Sequence, residues 1–173
     1  MRVPVLAAAA VIAAASSAHA AIVQIGPFYL DGLQEVGPNA SPGTGEATMW
    51  VNDVTGDFVL NYSFQDLLAT NTAAHFHIAP PGTNGGVVFW LTAGGAPALS
   101  PPMPVGVTSA SGSGSGVFPA ASLASLLAGN AYINIHTGAF PGGEIRGQVV
   151  PTPGAIGALG GAGLLSLARR RRG

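Results

Sequence analysis

The chain has 173 residues with no Cys and no Lys, and five of its six Arg lie within the first two and the last five positions. Residues 21–150 keep all seven acidic residues against Arg146 alone, a formal charge of −6, which excludes nucleic acid as a partner because phosphate binding requires a basic surface. Without disulfides an exported domain relies on its core, and ~130 residues are enough to bury one.

Residues 1–20 read as a signal peptide. Met1-Arg2 supplies a positive start, Val5 to Ala15 an apolar run, and Ala18-His19-Ala20 the small-x-small pattern of a cleavage site. The run is shorter than the ~20 apolar residues of a membrane span. Cleavage is expected after Ala20, which removes His19.

The segment 21–150 reads as short strands between turn residues. "PFYLDGL" (27–33) is the first, and "EATMWVN" (46–52) sets Ala47, Met49 and Val51 against Thr48 and Trp50. "DFVLNYSF" (57–64) sets Phe58, Leu60, Tyr62 and Phe64 against Val59, Asn61 and Ser63. A period of two marks strands, and the Asp/Gly turn "DVTG" joins this pair into a hairpin. "AHFHI" (74–78) and "VVFWLT" (87–92) flank the loop "APPGTNGG" as a second pair. "AGGAPALSPPMPVG" is too rich in proline for a central strand, and "SASGSGSG" (109–116) reads as a surface loop or poor edge strand. It has neither the G-x-G-x-x-G spacing nor the Lys of a phosphate loop. Over 119–130 the spacing of Leu123, Leu126 and Leu127, with Pro119 before and Gly129 after, predicts one short helix over an end of the fold. Many short strands at about ten-residue spacing predict an all-β domain, an antiparallel Greek-key-like β-sandwich.

The last two strands carry the polar residues of interest. With "TGAFPGG" as the hairpin loop, His136 falls opposite Glu144, Asn134 opposite Arg146 and Tyr132 opposite Gln148. That register puts the polar side chains on one face and Ile133, Ile135, Ile145 and Val149 on the core; a one-residue slip would bury the charges. Asn134, Glu144, Arg146 and Gln148 then form a polar recognition face.

Residues 151–173 combine Pro151-Thr152-Pro153, an apolar stretch over 154–168 and Arg169-Arg170-Arg171-Arg172. This arrangement resembles the PEP-CTERM sorting tail of Gram-negative bacteria, with Thr152 where that motif carries Glu. The resemblance implies an exosortase-type processing enzyme as a partner and transient membrane insertion through the tail. A simple stop-transfer anchor is the other reading of the same pattern, and both export the domain.

His75, His77 and His136 all stand on the polar side of their strands. If 74–78 and 131–136 are neighbours, three imidazoles with Glu144 nearby suit zinc or copper. Nitrogens more than ~7 Å apart could not share an ion at ligand distances of ~2.1 Å. The alternative is that His75 and His77 hydrogen-bond the "APPGTNGG" turn and His136 pairs with Glu144. No Glu follows H-x-H as in cupins, and the H-E-x-x-H helix and G-x-S-x-G elbow are absent. The acidic residues are scattered; Asp31 and Glu35 lie close together in sequence but carry no sign of a catalytic carboxylate pair.

The segments "LDGLQEV" with "GTGEATM" (30–49), "AAHFHIAPPGTNGGVVFWL" (73–91) and "LLAGNAYINIHTGAFPGGEIRGQV" (126–149) are similar to the CHRD domain, the module named for chordin and widespread in bacterial exported proteins. The resemblance implies an antiparallel β-sandwich with an extracellular role and no defined reaction. The H-x-H pair is also similar to one in copper-zinc superoxide dismutase, whose two metals need six histidines and an aspartate; three histidines cannot build that site. The expectation is therefore a non-enzymatic binding or adhesion module without a cofactor, at the cell envelope, outer surface or extracellular matrix, with an extracellular protein or polysaccharide as partner. The rival expectation is a single-site copper or zinc domain, redox-active in its furthest form, using His75, His77 and His136.

Overall fold

A computed structural model describes residues 20–151. Nine strands and one helix follow in order: β1 Ile22–Asp31, β2 Thr44–Asn52, β3 Asp57–Gln65, β4 Asn71–Ile78, β5 Val87–Thr92, β6 Ala98–Met103, β7 Ala110–Val117, α1 Ala120–Leu127, β8 Ala131–Thr137 and β9 Ile145–Val149. They close into a barrel with strand order β1-β2-β3-β7-β6-β5-β4-β8-β9. Every neighbouring pair is antiparallel except β5–β6. The all-β class with one short helix is as expected, but the architecture is a closed mixed barrel rather than a Greek-key sandwich.

Two segments account for the difference, and both read as poor strand formers in sequence. β7 is the "SGSGSG" stretch, and it pairs with β3 along its whole length, from Asp57↔Val117 to Phe64↔Ala110. Its glycines face the barrel interior and its serines face outward. A Cβ at Gly114 would stand 2.5 Å from Leu99 Cγ, and one at Gly116 would stand 2.5 Å from Phe89 Cζ. The missing side chains make room for large ones opposite, as barrel interiors require. β6 carries Pro101 and Pro102 between β5 and β7, and it is tolerated because its ladders are sparse. The registered pairs are Trp90↔Ala98 and Thr92↔Met103 on one side and Ser100↔Ser115 on the other. β1 begins five residues earlier than the proline suggests. Gly26, at φ +104, and Pro27 mark the irregularity where its register with β2 shifts, and the strand continues past it. Closure comes from Asp31↔Arg146, joining β1 to β9.

The interior is apolar and aromatic. Phe58 lies edge-on to Phe89 at 5.1 Å, and Phe76 to Phe118 at 5.4 Å; such pairs add about 0.5–1.5 kcal/mol each beyond the area they bury. Helix α1 adds Leu123 and Leu126 to this core. It ends at Gly129, φ +79, where Asn130 N–H reaches back to Ser125 O. No helix among the described residues is long and apolar enough to cross a membrane.

At the end where β8 stops and β9 starts, the Glu144 carboxylate accepts from Ser41 Oγ (2.5 Å), Leu68 N (2.7 Å) and Thr137 Oγ1 (2.6 Å). Glu144 is thus a fully buried tie between loops and faces neither His136 nor solvent. Glu144 stands in a bend, one residue before β9 begins at Ile145, so it does not follow the strand's alternation and its side chain leaves the polar face on which the sequence placed it.

Candidate functional site

The outer side of the β4–β8–β9 wall carries the polar residues, and the register places them in rows. Trp90, His75, Asn134, Arg146 and Asp31 lie side by side across five strands, and His77, Tyr132 and Gln148 form the row beside them. The pairs Ile135↔Ile145, Asn134↔Arg146 and Tyr132↔Gln148 are those the hydrophobic pattern requires.

This wall is roofed over. Arg146 is 1 % exposed and Asn134 is 3 % exposed. The Arg146 guanidinium lies 3.5 Å from the centroid of Tyr132. It donates to Thr83 O (3.0 Å), Pro80 O (3.4 Å) and Asn84 Oδ1 (3.3 Å). Gln148 donates to Ala79 O (3.1 Å) and Gly129 O (2.9 Å). These bonds fold the "APPGTNGG" loop down onto the strands, and Gly85 is required because a Cβ there would overlap Ile78 O at 1.9 Å. The expected recognition face is therefore an internal network. Asn134, Glu144 and Arg146 are covered, and Gln148 alone of the four keeps partial exposure.

His75, His77 and His136 converge beneath this roof. Each offers one ring nitrogen such that the three nitrogens lie within 4.8 Å of one another. His75 Nδ1 is 3.3 Å from His136 Nε2, and the His77 ring stacks on Tyr132 at 4.8 Å with planes 4° apart. Trp90 stands edge-on to His75, the ring centroids 4.2 Å apart. His77 Nδ1 donates to Gly85 O at 2.9 Å and His136 Nδ1 to Pro141 O at 2.9 Å. Carbonyls accept only, so both protons sit on Nδ1 and both Nε2 atoms carry lone pairs. Of the two histidines that the hydrogen-bonding alternative puts on the turn, His77 does hold it, while His75 contacts His136 instead, and His136 bonds a loop carbonyl rather than Glu144.

Burial, followed by the neighbouring His136 and His77, pushes His75 down to about 4. Burial also lowers His77, against the opposing pull of the Gly85 carbonyl. Both rings are neutral at pH 7, and His75 Nε2 and His77 Nε2 are buried without any hydrogen-bond partner. A buried polar atom left so costs about 1–3 kcal/mol.

Two further unpartnered atoms, Glu35 Oε1 and Asn134 Oδ1, belong to the same wall. Glu35 Oε2 accepts from Asn134 Nδ2 at 3.3 Å, and burial, opposed by Arg146 and this bond, raises the Glu35 carboxyl to about 7. A Cβ on Gly143 would lie 2.4 Å from Asn134 Oδ1 and 2.6 Å from Glu35 Oε1, so both oxygens crowd one spot. A carboxyl raised so far can carry a proton near neutral pH, which would give this spot a donor. Sequence reasoning passed over Glu35 as a turn carboxylate. The available signal was "DGLQE": Asp31 caps the short helical turn Gly32–Gln34 through Leu33 N (2.9 Å) and Gln34 N (3.0 Å), and the turn carries Glu35 back over the wall.

Of the sorting-motif residues only Pro151 is among those described; it is buried and bridges Ile25 of β1. Thr152, Pro153 and Arg169–Arg172, and residues 1–19 of the signal peptide, lie outside the described residues.

The fold and site together define a closed β-barrel domain with one polar wall sealed under its own loops. The family model for the CHRD domain matches residues 27–149. The chain belongs to the CHRD domain family. Neither the curated proteins nor the solved structures compared with it include a match.

Proposed function

We propose that this chain is an exported, non-catalytic binding module of the cell envelope or outer surface, and that its binding apparatus is the roofed wall of β4, β8 and β9. The observation that carries this reading is the pair of buried, unpartnered imidazole nitrogens on His75 and His77 beside His136. A proton on Glu35 can serve the Glu35–Asn134 oxygens, whereas His75 Nε2 and His77 Nε2 have no hydrogen-bond partner. Such atoms in a folded domain call for a partner from outside the chain. Among the described residues no nucleophile or carboxylate pair stands with the imidazoles, which supports the non-catalytic reading.

Export rests on residues 1–20 and on the tail over 151–173, with an exosortase-type enzyme as processing partner and an extracellular protein or polysaccharide as the wider partner. One contact supports cleavage after Ala20. The amide of Ala21 lies 2.8 Å from Asp53 Oδ1, and Asp53 N–H returns to Ala21 O at 3.0 Å. Processing there would turn that amide into an α-ammonium already facing a carboxylate. Mass spectrometry of the surface form should give an N-terminus at Ala21 and loss of residues beyond about Pro153; an intact Arg169–Arg172 would favour the anchor.

The binding reading is tested by thermal melts of the full chain against zinc and copper salts, neutral and acidic oligosaccharides, and peptides. One class is expected to raise the midpoint, and His77→Phe, which keeps the stack on Tyr132 but removes the nitrogens, is expected to abolish the rise. No rise with any class would contradict the reading.

A further inference from the structure

Resting on that reading, we infer that the ligand of the wall is a single zinc or copper(II) ion held by one ring nitrogen each of His75, His77 and His136. Three features of the geometry separate an ion from a hydrogen-bonding ligand.

The donors at His77 and His136 are lone pairs, not N–H groups, and His75 Nδ1 shares its proton with His136 Nε2 until an ion takes that place. His77 and His136 have their protons fixed on Nδ1 by Gly85 O and Pro141 O, which leaves both Nε2 atoms free to ligate. A carbonyl behind each ring is the arrangement that orients metal-bound histidine.

The spacing also fits. Two ligands on a tetrahedral ion with bonds of ~2.1 Å stand about 3.4 Å apart; His75 Nδ1 and His136 Nε2 are 3.3 Å apart. The three nitrogens lie within 4.8 Å of one another, so full coordination asks about 1 Å of ring movement.

The donor set is imidazole alone, with no Cys in the chain, and neutral imidazoles suit zinc and copper(II) rather than magnesium or calcium. His75 can present either nitrogen by exchanging tautomers, so an ion binds without net proton release. Three protein ligands leave a fourth position to water. His136 is the partly exposed member, and Pro141, whose carbonyl accepts from its ring, borders a groove of about 380 Å³ together with Asn84 and Gly143.

Both loops that brace the rings, 79–86 and 138–144, thereby become part of the ion's cage. Ion uptake is expected to stiffen them together.

The test uses the full chain, stripped with a chelator and titrated with zinc by calorimetry and with copper(II) by tryptophan fluorescence, since Trp90 abuts His75. The expected result is one ion per chain, with affinity at least ~10-fold weaker in His136→Ala and His77→Phe. Circular dichroism is expected to show both variants folded, and His136→Ala, at the most exposed ring, serves if His77→Phe does not fold. Equal affinity in wild type and a folded variant would overturn the site. No saturable zinc or copper binding, with a melting rise from a non-metal ligand, would overturn the ion and leave the binding module. No rise from any ligand would overturn both.

Discussion

Two walls of the same barrel obey the same parity and end in opposite environments. On β3 and β7 the outward side chains, among them Asn61, Ser111, Ser113 and Ser115, stand exposed. On β4, β8 and β9 the outward side chains include His75, His77, Asn134 and Arg146, and they are buried. Alternation fixes which side of a strand a residue takes. What lies on that side is fixed by the loops, here by an arginine whose donors match loop carbonyls. A polar outer face becomes a site where a roof takes water away and leaves some of its groups without partners.

The contrast is broken most strongly at Arg146. Arg146→Leu strands the carbonyls of Pro80 and Thr83 under a collapsing roof, and a loss of about 3 kcal/mol is expected in chemical denaturation. On the other wall the vulnerable side is the inner one: Gly114→Val meets Leu99 and the carbonyl of Pro101, and about 2–3 kcal/mol should be lost.

A pH series sharpens the comparison further. The folded Glu35 carboxyl is raised to about 7 from 4.5, so its favourable contribution is complete below pH ~4.5 and is lost as pH rises through 7. His75 is depressed to about 4 from 6.5, so its contribution is complete above pH ~6.5 and is lost as pH falls through 4. Glu35→Gln removes the first trend. The stability difference between variant and wild type should shift by roughly 2 kcal/mol in favour of the variant between pH 5 and pH 8. A flat difference would show that Glu35 is not held protonated.

Smaller effects are expected elsewhere. Asp53→Asn should cost about 0.5 kcal/mol in a chain beginning at Ala21, through loss of the ion pair with the new ammonium. Ser113→Ala on the open wall should stay within about 0.5 kcal/mol of wild type. A larger loss there would mean that this wall is also covered.

Much of this was legible in the residues. The β8–β9 register and the β2–β3 hairpin follow from period-two alternation and turn chemistry, whereas the convergence of the three histidines needs β4 beside β8, which the sequence leaves open. The barrel closure was not legible, because it depends on "SGSGSG" and "ALSPPM". Glycine spacing in β7 is informative only once Leu99 and Phe89 are known to lie opposite. Parity assigns Glu144 to the imidazoles, but it stands in the bend before β9, where alternation does not hold, and its carboxylate meets Thr137 at the barrel end. Glu35 was missed because its burial comes from the cap at Asp31 and from Asn134, 99 residues away.

The wall buries neutral imidazoles at His75 and His77, with the His77 proton held on Nδ1 by Gly85 O and its Nε2 left as a bare lone pair. Long-range ¹H–¹⁵N spectra of the histidine rings in the metal-free full chain at pH 7 test it directly. The expected result is His77 as a neutral Nδ1–H tautomer with unprotonated Nε2, and a neutral His75. Imidazolium at His75 or His77, or a proton on Nε2 of His77, would contradict it.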